Sequence, residues 1–182
     1  MTILMRGNDA LSTNPSVGVD AALSQHGSDW LWAVTAIYIA AFIVLLFLSF
    51  AAHESQRVFH YIFTISLLVG AVTYFAEASN LGWTAVQQAD DLDNGITRQI
   101  FFAKYINWSI SFPAMILALG LLSGISWTTI FCNIFITWLW VLTYIAAAYT
   151  ATDYKWGFFA FGTFSWVILV MSTLNESRES SL

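Results

Sequence analysis

Five long apolar runs, each bounded by polar clusters, constrain this chain more than any other feature of its sequence. A helix that crosses the hydrocarbon core of a bilayer needs about 20 consecutive, mostly apolar residues. The runs have this length and cover approximately residues 30–52, 58–78, 99–122, 125–149 and 156–174. They predict an all-α protein, a multi-pass transmembrane bundle of five helices.

The composition excludes a soluble protein. Hydrophobic residues make up 58% of the chain and charged residues 9%, whereas an ordinary soluble domain carries about 25% charged residues. So few charges cannot cover a surface that faces water, and we expect the lipid bilayer to be a partner of the chain. The net charge of −5 and the absence of a basic run also exclude a nucleic-acid partner.

Polar ends flank the predicted membrane domain. Residues 1–29 lack the apolar core of a cleavable signal peptide, so the first membrane segment is expected to target the chain itself. We therefore predict a polar N-terminal tail (1–29), a transmembrane domain (30–174) and a short polar tail (175–182). Ser28 or Asp29 is expected to accept a hydrogen bond from the first turn of the first helix.

One connection, residues 79–98, is long enough to hold structure of its own. It contains three aspartates (Asp90, Asp91 and Asp93), followed by Asn94-Gly95, a dipeptide that favours hairpin turns. The sequence predicts either a small two-stranded flap or a plain acidic loop.

Two charged residues lie inside the predicted membrane helices. Glu77 is near the end of the second run and Lys104 near the start of the third, and both lie toward the same membrane face because consecutive helices run antiparallel. A charge at the centre of a membrane helix costs roughly 2.5 to 3.5 kcal/mol, so such residues are usually paired or functional. We expect a Glu77–Lys104 pair. The alternative is that each side chain extends separately to the nearby interface.

Polar residues also form a stripe along the third run. Lys104, Asn107 and Ser111 follow the i, i+3, i+7 spacing of one helix face. A stripe of this kind is expected to face a bundle interior or a water-filled pocket, so these residues and Glu77 are the candidate polar residues of the interior. Structural hydrogen bonds between helices, worth about 0.6 kcal/mol each, explain the stripe nearly as well.

No catalytic residue and no metal site are predicted. His26, His53 and His60 are scattered, and a metal site would need ligands from elsewhere in the chain. The single Cys132 excludes an internal disulfide. The sequence contains no Ser-His-Asp spacing, zinc motif or phosphate-binding glycine loop, and we expect a protein that is not an enzyme.

The third run carries a family resemblance. The segment from Arg98 to Trp108, followed by Ser111-Phe112-Pro113, resembles the third helix of microbial rhodopsins, where an Arg-Tyr-x-Asp-Trp core precedes Thr-x-Pro. Three more segments resemble fungal opsin-related proteins of the thirty-kilodalton heat-shock type, namely residues 27–34, 81–84 and 154–157. The resemblance covers residues 27–174 and implies five helices of a seven-helix microbial opsin fold.

The same resemblance implies that no retinal is bound. In light-driven members, retinal forms a Schiff base with a lysine of the seventh helix, and this chain is expected to stop after the fifth. Its two lysines are Lys104, at the position of the family's third-helix arginine, and Lys155, at the start of the fifth helix. Asn107 replaces the carboxylate that accepts the proton in pumps, and Ala118 stands at the inner donor position. Neither a cofactor-binding lysine nor a proton pathway is therefore expected.

The resemblance also implies a function. The chain is expected to be a non-enzymatic, stress-associated protein of the fungal plasma membrane that modulates a partner, the proton-pumping ATPase. The family places the N-terminus outside and the tail inside, while the lysines and arginines do not choose an orientation. The alternatives are a retinal-dependent, light-driven ion transporter or photosensor, and a truncated, non-functional product of a longer gene. Because five helices would leave the polar stripe open to lipid, we also expect homo-oligomer formation or docking on another membrane protein.

Overall fold

The computed structural model describes residues 7–89 and 94–179. Asp90, Asp91 and Asp93 lie outside the described residues. The elements in chain order are the short helix α1 (Ala10–Thr13), helices α2 (Gln25–Ala51) and α3 (Glu54–Ala78), strands β1 (Trp83–Gln87) and β2 (Thr97–Phe101), and helices α4 (Phe102–Ser123), α5 (Trp127–Tyr149) and α6 (Lys155–Glu179). Helices α2 to α6 are long and apolar enough to cross a membrane, so the predicted helical membrane fold is confirmed.

Short capped links set the boundaries between helices. Helix α4 is followed by its C-cap residue, Gly124. The φ of 68° is left-handed, a conformation that a glycine adopts with little strain. Ser126 then accepts a hydrogen bond from the Thr129 amide at 3.2 Å, which opens α5. Pro113 lies within α4, where neighbouring groups in a membrane bundle can compensate for its missing amide hydrogen.

The predicted cap of the first membrane helix is wrong. Helix α2 begins at Gln25, and the hydroxyl of Ser24 accepts from the Gly27 amide at 3.1 Å. Ser28 lies inside the helix and is fully buried, and its hydroxyl donates to the Ala78 carbonyl at 2.7 Å. The Ser28 hydroxyl therefore joins α2 to the end of α3 instead of capping its own helix.

The last helix also differs from the prediction. Helix α6 continues through Glu179 and does not stop near Leu174. The part of the predicted polar tail that the structure describes is therefore helical.

The connection between α3 and α4 is a hairpin, which decides between the two predicted alternatives. Strands β1 and β2 pair antiparallel, with Trp83 opposite Phe101 and Gln87 opposite Thr97. The pairing continues toward the turn with a 2.8 Å bond from the Gln88 amide to the Ile96 carbonyl. Gly95 takes a left-handed φ of 67°, as the Asn-Gly turn chemistry requires.

The N-terminal segment packs on this hairpin. The Ala21 amide donates to the Thr97 carbonyl at 2.9 Å, and the Gln99 amide donates to the Ala21 carbonyl at 3.0 Å. This parallel bridge places the segment beside β2. The described part of the predicted N-terminal tail is therefore a folded cap, and we call the end of the bundle that carries it the hairpin end.

Asn80 is the centre of this cap. It has a left-handed φ of 56° and is 1% exposed. Its side-chain amide donates to the Asn14 carbonyl at 2.6 Å and to the Ser16 hydroxyl at 2.8 Å. Its side-chain oxygen accepts from the Gln99 amide group at 2.6 Å. One buried asparagine thus joins the N-terminal segment, the end of α3 and the second strand.

The membrane helices pack in the order of the chain. The extensive contacts of the described residues join α2 with α3, α3 with α4, α4 with α5, and α5 with α6. The five helices therefore form an arc in which each helix rests mainly on its sequence neighbours.

We expect the cap to loosen in acid because of Asp20. Its carboxylate accepts from the Thr97 amide at 2.8 Å and from the Thr97 hydroxyl at 3.0 Å, and these bonds lower the pKa of Asp20. A lowered folded-state pKa gives stabilisation that is fully present above the ordinary aspartate pKa and is lost as the pH falls through the lowered value. Hydrogen exchange at the Thr97 and Ala21 amides should therefore accelerate, after correction for intrinsic rates, only in that acidic range.

Asp20→Asn is the matched variant for this experiment. It should exchange faster at neutral pH and show no further acceleration in acid. Protection of the Thr97 amide that stays constant while the Asp20 carboxyl becomes protonated would contradict the assignment.

Candidate functional site

The residues of the polar stripe on α4 differ in how deeply they are buried. Asn107 is 5% exposed, and Ser111 is half-buried and donates from its hydroxyl to the Asn107 side-chain oxygen at 2.8 Å. Lys104 is exposed. Asn107 is thus shielded within the five helices themselves, which corrects the expectation that the whole stripe lies open to lipid.

Lys104 rests on aromatic rings. Its ammonium lies 4.8 Å from the centroid of the Trp108 ring and 5.6 Å from that of Tyr105. Trp108 in turn stacks on Trp140 of α5, with centroids 6.2 Å apart. A cation over a tryptophan face is stabilised by about 0.5 to 1 kcal/mol at an exposed site. The lysine charge is therefore held where α4 meets α5.

Glu77 is buried in the last turn of α3 and is 7% exposed. Within the described part of the chain, its carboxylate has no hydrogen-bond partner and no ion pair with Lys104. The two residues lie on helices that pack against each other at the hairpin end. A direct Glu77–Lys104 contact is therefore not formed, and their coupling stays a prediction.

A second buried asparagine was missed by the sequence analysis. Asn133 of α5 is 2% exposed, and its side-chain oxygen accepts from the Ser172 hydroxyl of α6 at 2.8 Å. The Tyr144 and Thr163 hydroxyls form another link between the same helices at 3.1 Å. The sequence does contain a signal for this residue, an asparagine inside an apolar run, because hydrocarbon offers a side-chain amide no hydrogen-bond partner.

Taken together, the site is a polar but chemically neutral interior with charged groups near the hairpin end. Asparagine and serine side chains donate and accept hydrogen bonds but do not titrate near neutral pH. The arrangement can position groups and join helices, and the interior pair Asn107–Ser111 supplies no proton acceptor.

A sequence model of the family described as bacteriorhodopsin-like protein matches residues 25–181. The chain belongs to this family. The bacteriorhodopsin-like chain is 35% identical to the opsin-like protein carO of Fusarium fujikuroi over 181 residues, which are 95% of the chain and 59% of carO. It is 28% identical to the 30 kDa heat shock protein of Saccharomyces cerevisiae, covering 92% of the chain and 58% of that protein.

The fold is shared with solved structures of the family. A light-driven proton pump from Leptosphaeria maculans superimposes with a TM-score of 0.79 at 29% identity, over 88% of this chain and 69% of the pump. These findings confirm the predicted resemblance to microbial rhodopsins and to fungal opsin-related proteins of the heat-shock type. The chain spans 59% of the length of carO.

We expect Glu77 and Lys104 to be energetically coupled although they do not touch. Opposite charges on packed helices attract through a poorly polarisable medium. A double-mutant cycle with Glu77→Gln and Lys104→Met should give a favourable interaction energy of about 0.5 to 1 kcal/mol. This value is at the lower end of the range for residues that are in contact. The measured quantity is the free energy of unfolding by sodium dodecyl sulfate in mixed micelles.

A second cycle with Lys104→Met and Trp108→Leu is the matched control, because that pair is in direct contact. It should show a coupling of about 0.5 to 1 kcal/mol. If the control pair couples while the Glu77 and Lys104 effects add strictly, each charge is solvated separately at the interface and the pairing hypothesis is wrong.

Proposed function

We propose that this chain is a light-independent, non-enzymatic opsin-type membrane protein that acts by associating with another membrane protein. The observation that carries the proposal is Asn107. It occupies the position at which the resemblance to proton pumps places a carboxylate, and it is buried and hydrogen-bonded to Ser111.

The chemistry at Asn107 supports this function. A neutral amide does not take up a proton near pH 7, and it cannot act as the counterion of a protonated Schiff base. The Ser111 hydroxyl donates its hydrogen bond to the side-chain oxygen of Asn107. Ala118, where the resemblance places the inner proton donor, is 5% exposed and apolar. Two successive proton positions are therefore occupied by side chains that do not titrate.

The relatives support the stress-associated part of the proposal. The similarity to the 30 kDa heat shock protein of S. cerevisiae covers nearly the whole chain. We therefore propose a role in the stress response at the plasma membrane, with the proton-pumping ATPase of that membrane as the first candidate partner. The similarity to the light-driven proton pump of Leptosphaeria maculans favours the competing function, a retinal-dependent transporter.

Retinal separates these two functions. We expect the purified chain, incubated with all-trans retinal, to show no red-shifted visible band. Neither Lys104 nor Lys155 lies where the resemblance places the retinal lysine, and Asn107 supplies no negative charge to stabilise a protonated Schiff base. The measurement is an absorption spectrum before and after hydroxylamine. The Leptosphaeria maculans pump, prepared in the same way, is the positive control.

Asn107→Asp extends this experiment. A band that forms in the unaltered chain and disappears with hydroxylamine would refute the light-independent proposal. Asn107→Asp should also show no band, because neither Lys104 nor Lys155 lies where the resemblance places the retinal lysine. A band that forms only in this variant would show that a lysine of this chain binds retinal and would contradict the proposal.

A cysteine at Ser111, the half-buried last residue of the polar stripe, tests the proposed association. Helices α2 to α6 form an arc, and Ser111 is partly accessible on α4. We expect Ser111→Cys, on a Cys132→Ala background, to form a crosslinked protein adduct in native membranes. Mass spectrometry of the adduct would distinguish a second copy of the chain from the proton-pumping ATPase.

Ile106→Cys is the matched control because Ile106 is 50% exposed on the same helix. Five residues at about 100° each place it roughly 140° away from Ser111. The control should be labelled by a lipid-phase reagent without forming a protein adduct. If Ser111→Cys behaves in the same way, the stripe faces lipid and the proposed association surface is wrong.

A further inference from the structure

A proline interrupts the backbone hydrogen bonding of α4 near the middle of the helix. Pro113 is buried, and α4 continues on both sides of it. In an α-helix the carbonyl of one residue accepts from the amide four residues later, and a proline has no amide hydrogen. The Ser109 carbonyl therefore has no backbone partner on its own helix.

The indole of Trp138 takes the place of that partner. Its Nε1 donates to the Ser109 carbonyl at 3.0 Å, so α5 supplies the hydrogen bond that α4 cannot form. Hydrocarbon offers neither the carbonyl nor the indole another partner, and both groups are stabilised by the contact.

A second tryptophan of α5 contacts the same half of α4. The Trp140 ring stacks on Trp108 and has its centroid 4.8 Å from that of Phe112. Trp138 and Trp140 are two residues apart, so they project about 200° apart around α5. The two indoles therefore contact α4 on different sides, and both contacts lie before Pro113 along the helix.

The packing beside the proline is incomplete. A cavity of about 300 Å³ opens between α4 and α5, and its lining includes Pro113, Leu117, Phe135 and Trp138. Sharp bends in helices occur mainly at prolines. The cavity therefore leaves room for α4 to bend at the position where its own backbone hydrogen bonding is interrupted.

We propose that α4 has a hinge at Pro113 and that the hydrogen bond from Trp138 to Ser109 holds this hinge in one conformation. When the bond is formed, the two halves of α4 keep a fixed orientation. When it is broken, the Ser109 carbonyl has no partner and α4 bends, which moves Asn107 and Ser111 relative to α5. The indole of Trp138 thus determines the position of the polar stripe.

A double-mutant cycle tests the role of the indole. Trp138→Phe removes the donor and keeps an aromatic ring. We expect the equilibrium constant for unfolding by sodium dodecyl sulfate to rise about threefold, the average effect of one hydrogen bond between membrane helices. Pro113→Ala returns an amide hydrogen to the Ser109 carbonyl, so Trp138→Phe should have little effect on that background. An equal effect on both backgrounds would overturn the proposal, because the indole would then act through packing alone.

Trp166→Phe is the matched control. Trp166 of α6 is 44% exposed, close to the 40% of Trp138, and its indole has no hydrogen bond within the described part of the chain. The control should leave the unfolding constant unchanged. A threefold rise in this variant as well would assign the effect to the loss of any indole and not to the Ser109 contact.

Distances between spin labels test the hinge itself. Ile106 and Leu122 are 50% and 75% exposed on opposite sides of Pro113, and a straight helix would separate their backbones by about 24 Å. We expect labels at these positions, on a Cys132→Ala background, to give a narrow distance distribution by double electron–electron resonance. Trp138→Phe should broaden it toward shorter distances, and adding Pro113→Ala should restore it. An unchanged distribution in Trp138→Phe would show that there is no hinge.

Rescue keeps the experiment decisive if Trp138→Phe alone does not fold. The double variant with Pro113→Ala should then fold, because the Ser109 carbonyl regains a partner on its own helix. A double variant that also fails to fold would show that Trp138 is required for a reason unrelated to the proline, and would overturn the proposal.

Discussion

The absence of hydrogen-bond partners in hydrocarbon governs this structure. Every backbone polar group within the membrane needs a partner inside the protein, and polar side chains are stabilised when they also find one. Many hydroxyls do so on their own helix, as Thr35 does with the Leu31 carbonyl at 2.8 Å and Thr137 with the Asn133 carbonyl at 2.8 Å. Such bonds satisfy the side chain without joining helices. The few bonds that cross between helices therefore contribute specifically to their arrangement.

Aromatic rings of one helix also pack directly against glycines of the next helix. Gly70 of α3 lies directly against the Tyr38 ring of α2, and Gly162 of α6 lies against Tyr144 of α5. A methyl group at either position would overlap the neighbouring ring. Small residues serve membrane helices in this way because lipid is as apolar as the side chains, so dispersion contacts and hydrogen bonds hold the helices together.

The hairpin end and the interior of the bundle have different chemical characters. The hairpin end carries Asn80 and its partners, the buried Glu77, and a cavity lined by Arg98 and Lys155. The middle of the bundle is polar but uncharged at Asn107 and Asn133. These charged groups lie at the hairpin end, whereas the buried asparagines of the interior carry no charge.

The sequence by itself determined the five membrane helices and the opsin family, because run length and motif order are local properties. It left the connection at residues 79–98 open between a hairpin and a loop, and the strand pairing in the structure decided for the hairpin. The sequence also placed Asn107 and Ser111 on one helix face. Only the tertiary structure decided that Ser28 bonds to Ala78, that Lys104 rests on Trp108, and that Asn133 meets Ser172. Each of these contacts depends on the distance and rotation between two helices, which the spacing along one helix does not contain.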